Sequence, residues 1–351
     1  MRRVFGVTLV AVFSLILPGT YAAISSSPSI DLDASISSSL ATSGATRWND
    51  LVTGSLQFTI GSNSAYSSFG GGSLTHTSAG TSGAYFAPSS IGSATNPSGD
   101  ISLMTWVYFT SWNVDWNILS SRWFTGGEGT GGYSDYHFAV RTKGSNHRLN
   151  LYTTNTSDID GSTNLSLNKW YQLGFTLGSG VPKFYVNGKY DTPTVTSGVT
   201  RTAYTNPYLF VGDYRTNCTA CSFNGYMSKF RLWGSVLSAS SVLSDFQNEA
   251  SALGYSTSTS LSLSSNSPKY RIANTITATV SGPGRVTFYE KGKLIPRCKN
   301  ILVSSTTGAC IWKPASHGQT TISATFSPTD PELFASSAVQ NLTVPIRTTT
   351  R

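Results

Sequence analysis

Between residues 112 and 141 the chain crowds rings and hydrogen-bonding groups: Trp112, Asn113, Asp115, Trp116, Trp123, Tyr133, Asp135, Tyr136 and Arg141, with a glycine-rich run at 126–132. Flat rings lie against the C–H faces of sugars at small ordering cost, while amides, carboxylates and a guanidinium supply directional hydrogen bonds. This region is the candidate ligand site. The competing reading is that its aromatics fill the interior, which is the reading given to Trp106 and Trp170. Asp158-Ile159-Asp160-Gly161 sets two carboxylates before a turn glycine in a polar loop. Hard oxygen ligands in that arrangement suit a calcium ion, and ordinary turn chemistry accounts for Asp160-Gly161 equally well.

Catalytic constellations are harder to find. Glu128, Glu249, Glu290 and Glu332 are the only glutamates, and apart from Asp330 before Glu332 none has an acid two or three positions away. Retaining glycoside hydrolysis needs two carboxyls about 5–5.5 Å apart. Asp245 and Glu249 are four apart on a predicted helix and read as a solvated face. His76, His137, His147 and His317 are scattered, each read as a surface or hairpin residue, and no Gly-x-Ser-x-Gly elbow opens a helix. No catalytic residue is assigned. The net charge of +8 comes from dispersed residues rather than a Lys/Arg stripe, which excludes nucleic acid as the expected partner.

The elements that must carry the candidate site are strands. Only 11% of residues are charged, and Ser, Thr, Gly and aromatics abound, a composition that favours antiparallel sheets joined by turns. Strands are predicted at 56–61, 72–77, 84–88, 101–109, 117–124, 136–142, 147–153, 207–212 and 223–233. In 101–109, ISLMTWVYF, Ile101, Leu103, Thr105, Val107 and Phe109 are expected to line the core, with Met104, Trp106 and Tyr108 on the opposite face. Such a strand needs cover on both faces, or cover on one and a ligand groove on the other. Residues 168–188 read as a hairpin with a Gly-Ser turn, closing on Asn187-Gly188. A short helix is expected from Ser238, as N-cap, to about 252.

Residues 1–22 show a basic start, an apolar stretch and small residues before a cleavage position, the pattern of a secretory signal rather than a membrane anchor. The protein is expected outside the cytoplasm. In that compartment Cys218/Cys221 and Cys298/Cys310 read as two local disulfides. A zinc site or a redox Cys-x-x-Cys lacks the ligand spacing or the βαβ context it needs.

Lys169-Trp170-Tyr171 opening one strand and Tyr185-Val186-Asn187-Gly188 closing the next resemble the core hairpin of laminin-G-like jelly rolls, the concanavalin A-like lectin domains. Leu32-Asp33-Ala34, Trp48-Asn49-Asp50-Leu51 and the alternating stretch after Gly225 follow in the order of that family, so the resemblance spans 29–255. It implies an all-β antiparallel sandwich that binds an extracellular glycan or surface protein, with a closing strand beside the first one. It also makes Asp31 and Asp33, on one strand face, a second candidate calcium pair. The family's glucanases carry Glu-x-Asp-x-x-Glu, which is absent here. From 257 to 346, Pro283-Gly284-Arg285-Val286-Thr287-Phe288-Tyr289 and Gly318-Gln319-Thr320-Thr321-Ile322 resemble bacterial immunoglobulin-like repeats, which implies a smaller sandwich. The antibody-type Cys–Trp–Cys order is missing. The leading expectation is a secreted, non-catalytic recognition protein with a glycan-binding jelly roll and an immunoglobulin-like spacer or adhesion module. A structural or protein-binding adhesin is the second reading and a glycan-active enzyme the third.

Overall fold

The structure is a computed structural model. It describes residues 27–54, 56–77, 84–86, 99–113, 116–124, 134–143, 146–153, 156–201, 207–212, 223–330 and 332–345, with the side chains at 84–86, 123–124, 134–135, 143, 156–157 and 207–208 excepted. The signal-like segment 1–22, Cys218 and Cys221 lie outside the described residues. Contacts divide the chain into two compact units between Gly254 and Tyr255.

The first unit is two antiparallel sheets. In the first sheet the order is Lys189–Asp191, Val181–Val186, Trp170–Gly178, Ile101–Ser111, Asn224–Trp233, Ser73–His76 and Tyr66–Ser67, and Ile30–Asp33 also pairs with Asn224–Trp233. In the second the order is Thr156–Asp160, Asn146–Thr153, Ser134–Lys143, Trp116–Phe124, Pro207–Val211, Ala84–Phe86, Gln57–Ile60 and Arg47–Asn49. Side chains alternate across a strand, so each sheet sends every second residue inward. Leu103, Val107, Leu173, Phe175 and Phe230 of the first sheet meet Phe138, Val140, Leu149, Leu151 and Leu209 of the second in one buried cluster. This all-β arrangement is a jelly-roll sandwich, and its closing strand does return beside the first one.

Turns fix the register of the signature hairpin. Ser179 and Gly180 have φ of 48° and 76°, and Asn187 and Gly188 have φ of 53° and 74°. Both are two-residue turns with positive φ throughout, which match strand twist and favour Asn and Gly. Gly188 has a second reason to be glycine, because a Cβ there would come within 2.9–3.1 Å of Phe246 and Leu243 on the helix.

That helix, Ala239–Glu249, is the cover that the doubly apolar strand required. Ser238 caps it, its hydroxyl accepting from the Ser241 N–H at 3.1 Å. Val242 and Leu237 bury against Met104, Tyr185 and Trp233, while Phe246 stacks on Trp106 with centroids 5.6 Å apart. Trp106 and Trp170 are therefore buried on the outer face of the first sheet, not between the sheets. Trp170 stacks on Phe69, whose loop lies so close that a Cβ on Gly70 would meet the indole at 2.4 Å.

The second unit is a smaller sandwich. A three-stranded sheet runs Thr259–Leu263, Asn274–Val280, Thr307–Trp312, and a five-stranded sheet runs Lys293–Leu294, Gly284–Glu290, Gly318–Pro328, Ser336–Val344, with Ile301–Val303 also paired to Gly284–Glu290. Ile276, Ala278 and Trp312 pack against Val286, Phe288, Ile322 and Phe326. A disulfide joins Cys298 to Cys310, their Cα atoms 5.7 Å apart. Closing a loop of this size is worth about 3 kcal/mol on the chain-entropy estimate. Ser336–Val344 lies beyond the alternating stretches that the sequence marks as strands in this unit, 259–263, 272–280, 285–290, 293–296, 310–314 and 319–326. Its inward positions include Gln340 among Ala338, Leu342 and Val344, so the apolar alternation is broken in sequence.

Candidate functional site

The candidate residues separate once they are placed. Tyr136 is 0% exposed and packs edge-on against Phe175 inside the sandwich, so it belongs to the core and not to a ligand surface. Trp112 stacks on His147 at 4.4 Å and packs against Phe109 at 4.7 Å, sealing one end of the core. Burial holds the His147 ring below its ordinary pKa. Asn113 is a loop brace: its backbone N–H donates to Asn117 Oδ1 and its side-chain Oδ1 accepts from the Asn224 amide at 3.0 Å. Asp115 and Tyr133 lie outside the described residues, as do the side chains of Trp123 and Asp135.

Trp116 and Arg141 do come together, on the outer face of the second sheet. They are directly cross-strand, and the guanidinium sits 4.9 Å from the indole centroid. Arg141 also forms an ion pair with Asp158, both side chains partly exposed. Asp158 and Asp160 lie on an edge strand, Thr156–Asp160, and not in a polar loop; Ile159 between them points into the core and pins the pair outward. The Asn150 amide donates to Asp160 at 2.7 Å, and His137 stacks on Tyr152 at 5.3 Å. Register places these groups together: Arg148 opposite Arg141, Asn150 opposite Ala139 and Tyr152 opposite His137, then Asp160 opposite Asn150. Two oxygens of this face, Asn150 Oδ1 and Asp158 Oδ1, are buried and have no hydrogen-bond partner among the described residues. Buried acceptors without donors are costly.

Beyond Asp160, the chain is tied down by Asp191. This carboxylate accepts from the backbone and hydroxyl of both Ser162 and Thr163, and a Cβ on Gly161 would strike it at 2.2 Å. Among the described residues no group of three or more His, Cys, Asp or Glu forms a metal-ligand cluster.

Asp31 and Asp33 lie elsewhere, under the helix. Each faces a cation across the Ile30–Asp33/Asn224–Trp233 pairing: Arg231 at 2.9 Å and Lys229 at 2.6 Å. A calcium ion there would have to displace these cations. Arg231 also contacts Asp245 at 2.9 Å and Glu249 at 2.7 Å, and Lys229 contacts Glu249 at 3.0 Å. Asp245 and Glu249 are thus clamped onto the sheet, correcting their reading as a solvated face. Asp245 is 2% exposed and accepts from the Gln172 amide; Glu249 accepts from the Trp106 indole at 2.6 Å. Four carboxylates here meet only two cations. Burial, with the neighbouring acids, pushes Asp245 up to about 7, while Asp31 is also raised by burial. Burial opposes ionisation of Asp33 too, but Lys229 and Ser35 bring it below its ordinary value. The cations respond oppositely: burial would lower Lys229 and Arg231, yet the surrounding acids raise both.

One further aromatic group was missed in the sequence. Trp170, Tyr108 and Tyr226 are successive cross-strand partners on the first sheet's outer face, topped by Phe69. Their alternation was visible strand by strand, but their alignment needed the register. His76, read as a surface or hairpin residue, is buried against Phe223, and burial lowers its pKa to about 4.

Residues 79–243 match the family model of the concanavalin A-like lectin/glucanases superfamily, which supports the jelly-roll domain. No curated protein sequence matches the chain. A Trypanosoma rangeli sialidase, solved with 2,3-difluorosialic acid as a covalent intermediate, is similar in fold with 14% identity and a TM-score of 0.51, over 69% of this chain and 36% of the sialidase. The chain thus spans about a third of that enzyme. The binding domain of botulinum neurotoxin serotype G matches at 12% identity, TM-score 0.48, over 91% of this chain and 79% of that one. Domain 4 of an extracellular arabinanase from Geobacillus stearothermophilus, solved with arabinotriose, matches at 15% identity, TM-score 0.43, over 63% and 98%.

Proposed function

We propose that this is a secreted, non-catalytic recognition protein whose jelly roll binds glycan on the outer face of its second sheet. The observation that carries this reading is the partly exposed group of Trp116, Arg141 and Asp158 on one sheet face, beside the Tyr152 ring and with the acceptor oxygens Asn150 Oδ1 and Asp158 Oδ1 just beneath it. Sugar hydroxyls donate to such oxygens while the C–H face of the ring packs on an aromatic plane. The arrangement favours binding over turnover. Asp158 is bound to Arg141 and Asp160 takes the Asn150 amide, so neither is set up to hand a proton to a leaving group. The signal-like residues 1–22 support export, and the second sandwich serves in this reading as an immunoglobulin-like spacer.

A glycan array followed by calorimetry on the best ligand tests the proposal, using wild-type protein with Asp158→Asn and Asn150→Ala. Both variants are expected to lose most of the binding while melting within a few degrees of wild type. Unchanged binding in both variants would move the site elsewhere. Release of new reducing ends from the bound glycan would refute the non-catalytic part.

A further inference from the structure

The positive charge of the chain is not shared evenly. Ten of its 24 Lys and Arg but only three of its 16 Asp and Glu follow Gly254, so that segment carries +7 of the net +8. On the second unit this charge borders a groove of about 1020 Å³, lined by Lys291, Lys293, Arg297 and Lys313 and by the aliphatic side chains of Leu294 and Ile311. Ile311 is 65% exposed and Leu294 44%, an apolar pair lying beside the cations. The one carboxylate in the lining, Glu290, already accepts from the Trp312 indole at 3.0 Å and from Thr320 at 3.2 Å.

A sheet edge borders the groove at residues 309–312. Thr307–Trp312 pairs with Asn274–Val280 on one side, and among the described residues no strand pairs with its other side. Thr307, Ala309 and Ile311 point outward while Gly308, Cys310 and Trp312 point in, and Cys310 is held by the disulfide to Cys298. A rigid strand edge with unpaired backbone groups is a template for another extended chain.

We infer that this groove docks an extended acidic peptide segment of a partner protein, added as a strand to the Thr307–Trp312 edge. Backbone groups would pair along the edge, apolar side chains would rest on Leu294 and Ile311, and acidic ones would meet the four cations, which is charge complementarity rather than area alone. A polysaccharide fits less well, because the groove presents no aromatic plane: Trp312, its only ring, is 1% exposed. A membrane surface is convex-compatible only with a protruding patch, and this is a cleft. The inference is independent of the jelly-roll site.

The test uses the full chain and a fluorescent twelve-residue peptide of alternating Glu and Val, with an alternating Lys/Val peptide, polygalacturonate and phosphatidylglycerol vesicles as competitors. The Glu/Val peptide should bind in a salt-sensitive manner. Binding should weaken at least tenfold in Lys293→Glu/Lys313→Glu and in Ile311→Asp, and the peptide should slow hydrogen exchange at 307–312. All three positions are exposed, and a melting curve confirms that the variants fold. The inference is overturned if the Glu/Val peptide does not bind, if the Lys/Val peptide binds as well, or if the variants bind unchanged. It is overturned equally if protection falls outside 307–312, or if polygalacturonate or the vesicles bind in place of the peptide. A salt-sensitive dimer that protects 307–312 without peptide would assign the edge to a second copy of this chain.

Discussion

The two outer faces of the jelly roll use the same residue types for opposite ends. On the first sheet Trp106, Lys229 and Arg231 sit beneath the helix Ala239–Glu249 with four carboxylates of the sheet and helix, each carboxylate in contact with a cation within the molecule. On the second sheet Trp116, Arg141 and Asp158 stay partly exposed and leave two acceptor oxygens without partners. Composition does not separate these faces. Cover does: a ring and a cation under a helix are fasteners, and the same pair left partly in solvent is, in the proposed function, a contact surface.

That contrast breaks most readily on the covered side. Trp106→Ala should remove about 3–5 kcal/mol of stability by opening a cavity beneath Phe246, read as a large drop in the denaturant midpoint. Arg231→Ala should cost a similar amount, about 3–5 kcal/mol, because Asp31, Asp245 and Glu249 lose a buried cation. A mild effect of either variant would mean that the helix contributes little to holding the face.

Proton linkage gives the next largest effect. Asp245 in the folded chain holds its proton up to about pH 7, against an ordinary value of 3.8. The folded state therefore binds more protons than the unfolded one between those values, and stability falls as pH rises through that window. The melting temperature should climb by several degrees when pH is lowered from about 7.5 to 5, each kcal/mol being worth about 2–4 °C in a domain of this size. Asp245→Asn should flatten that slope. Asp33 acts in the opposite sense, its contribution vanishing only below its ordinary value. A melting temperature that falls between pH 7.5 and 5 would show that the excess carboxylate stays ionised.

The smallest effect should appear on the open face. Trp116→Ala is expected to leave the midpoint nearly unchanged and to weaken glycan binding by about 0.5–1.5 kcal/mol, roughly two- to twelvefold, in calorimetry. Should Trp116→Ala unfold the protein, the two faces would not differ in kind.

Much of the fold was legible because local pattern and burial agree. The helix announced itself by Ser238 and the spacing of Val242 and Phe246, and the signature hairpin by Asn187-Gly188. The 101–109 strand declared two apolar faces, one of which could have been a groove, and the structure supplies the helix as the second cover. What was not legible depends on register. Asp31 and Asp33 were placed correctly on one strand face, but their partners lie at Lys229 and Arg231, and nothing local links Asp-x-Asp to Lys-x-Arg 200 residues on. Asp158 and Asp160 looked like a calcium loop because their strand is short and at an edge. Of the candidate ligand residues, only Trp116 and Arg141 come together among the described side chains, since a strand's inward and outward positions interleave. Tyr136 and Arg141, five apart in sequence, therefore fall on opposite faces of one strand.

The position of Asn224–Trp233 has a temporal consequence. This last strand of the unit does not lie at the rim: it inserts between Ile101–Ser111 and Ser73–His76, and it also binds Ile30–Asp33. Until it arrives, the first sheet is two separated pieces, and the N-terminal strand has nothing to pair with. Contacts this distant in sequence slow folding because loop closure precedes the gain from pairing. The unit should therefore assemble in one late step, on the order of milliseconds to seconds, and only after the whole of it has emerged.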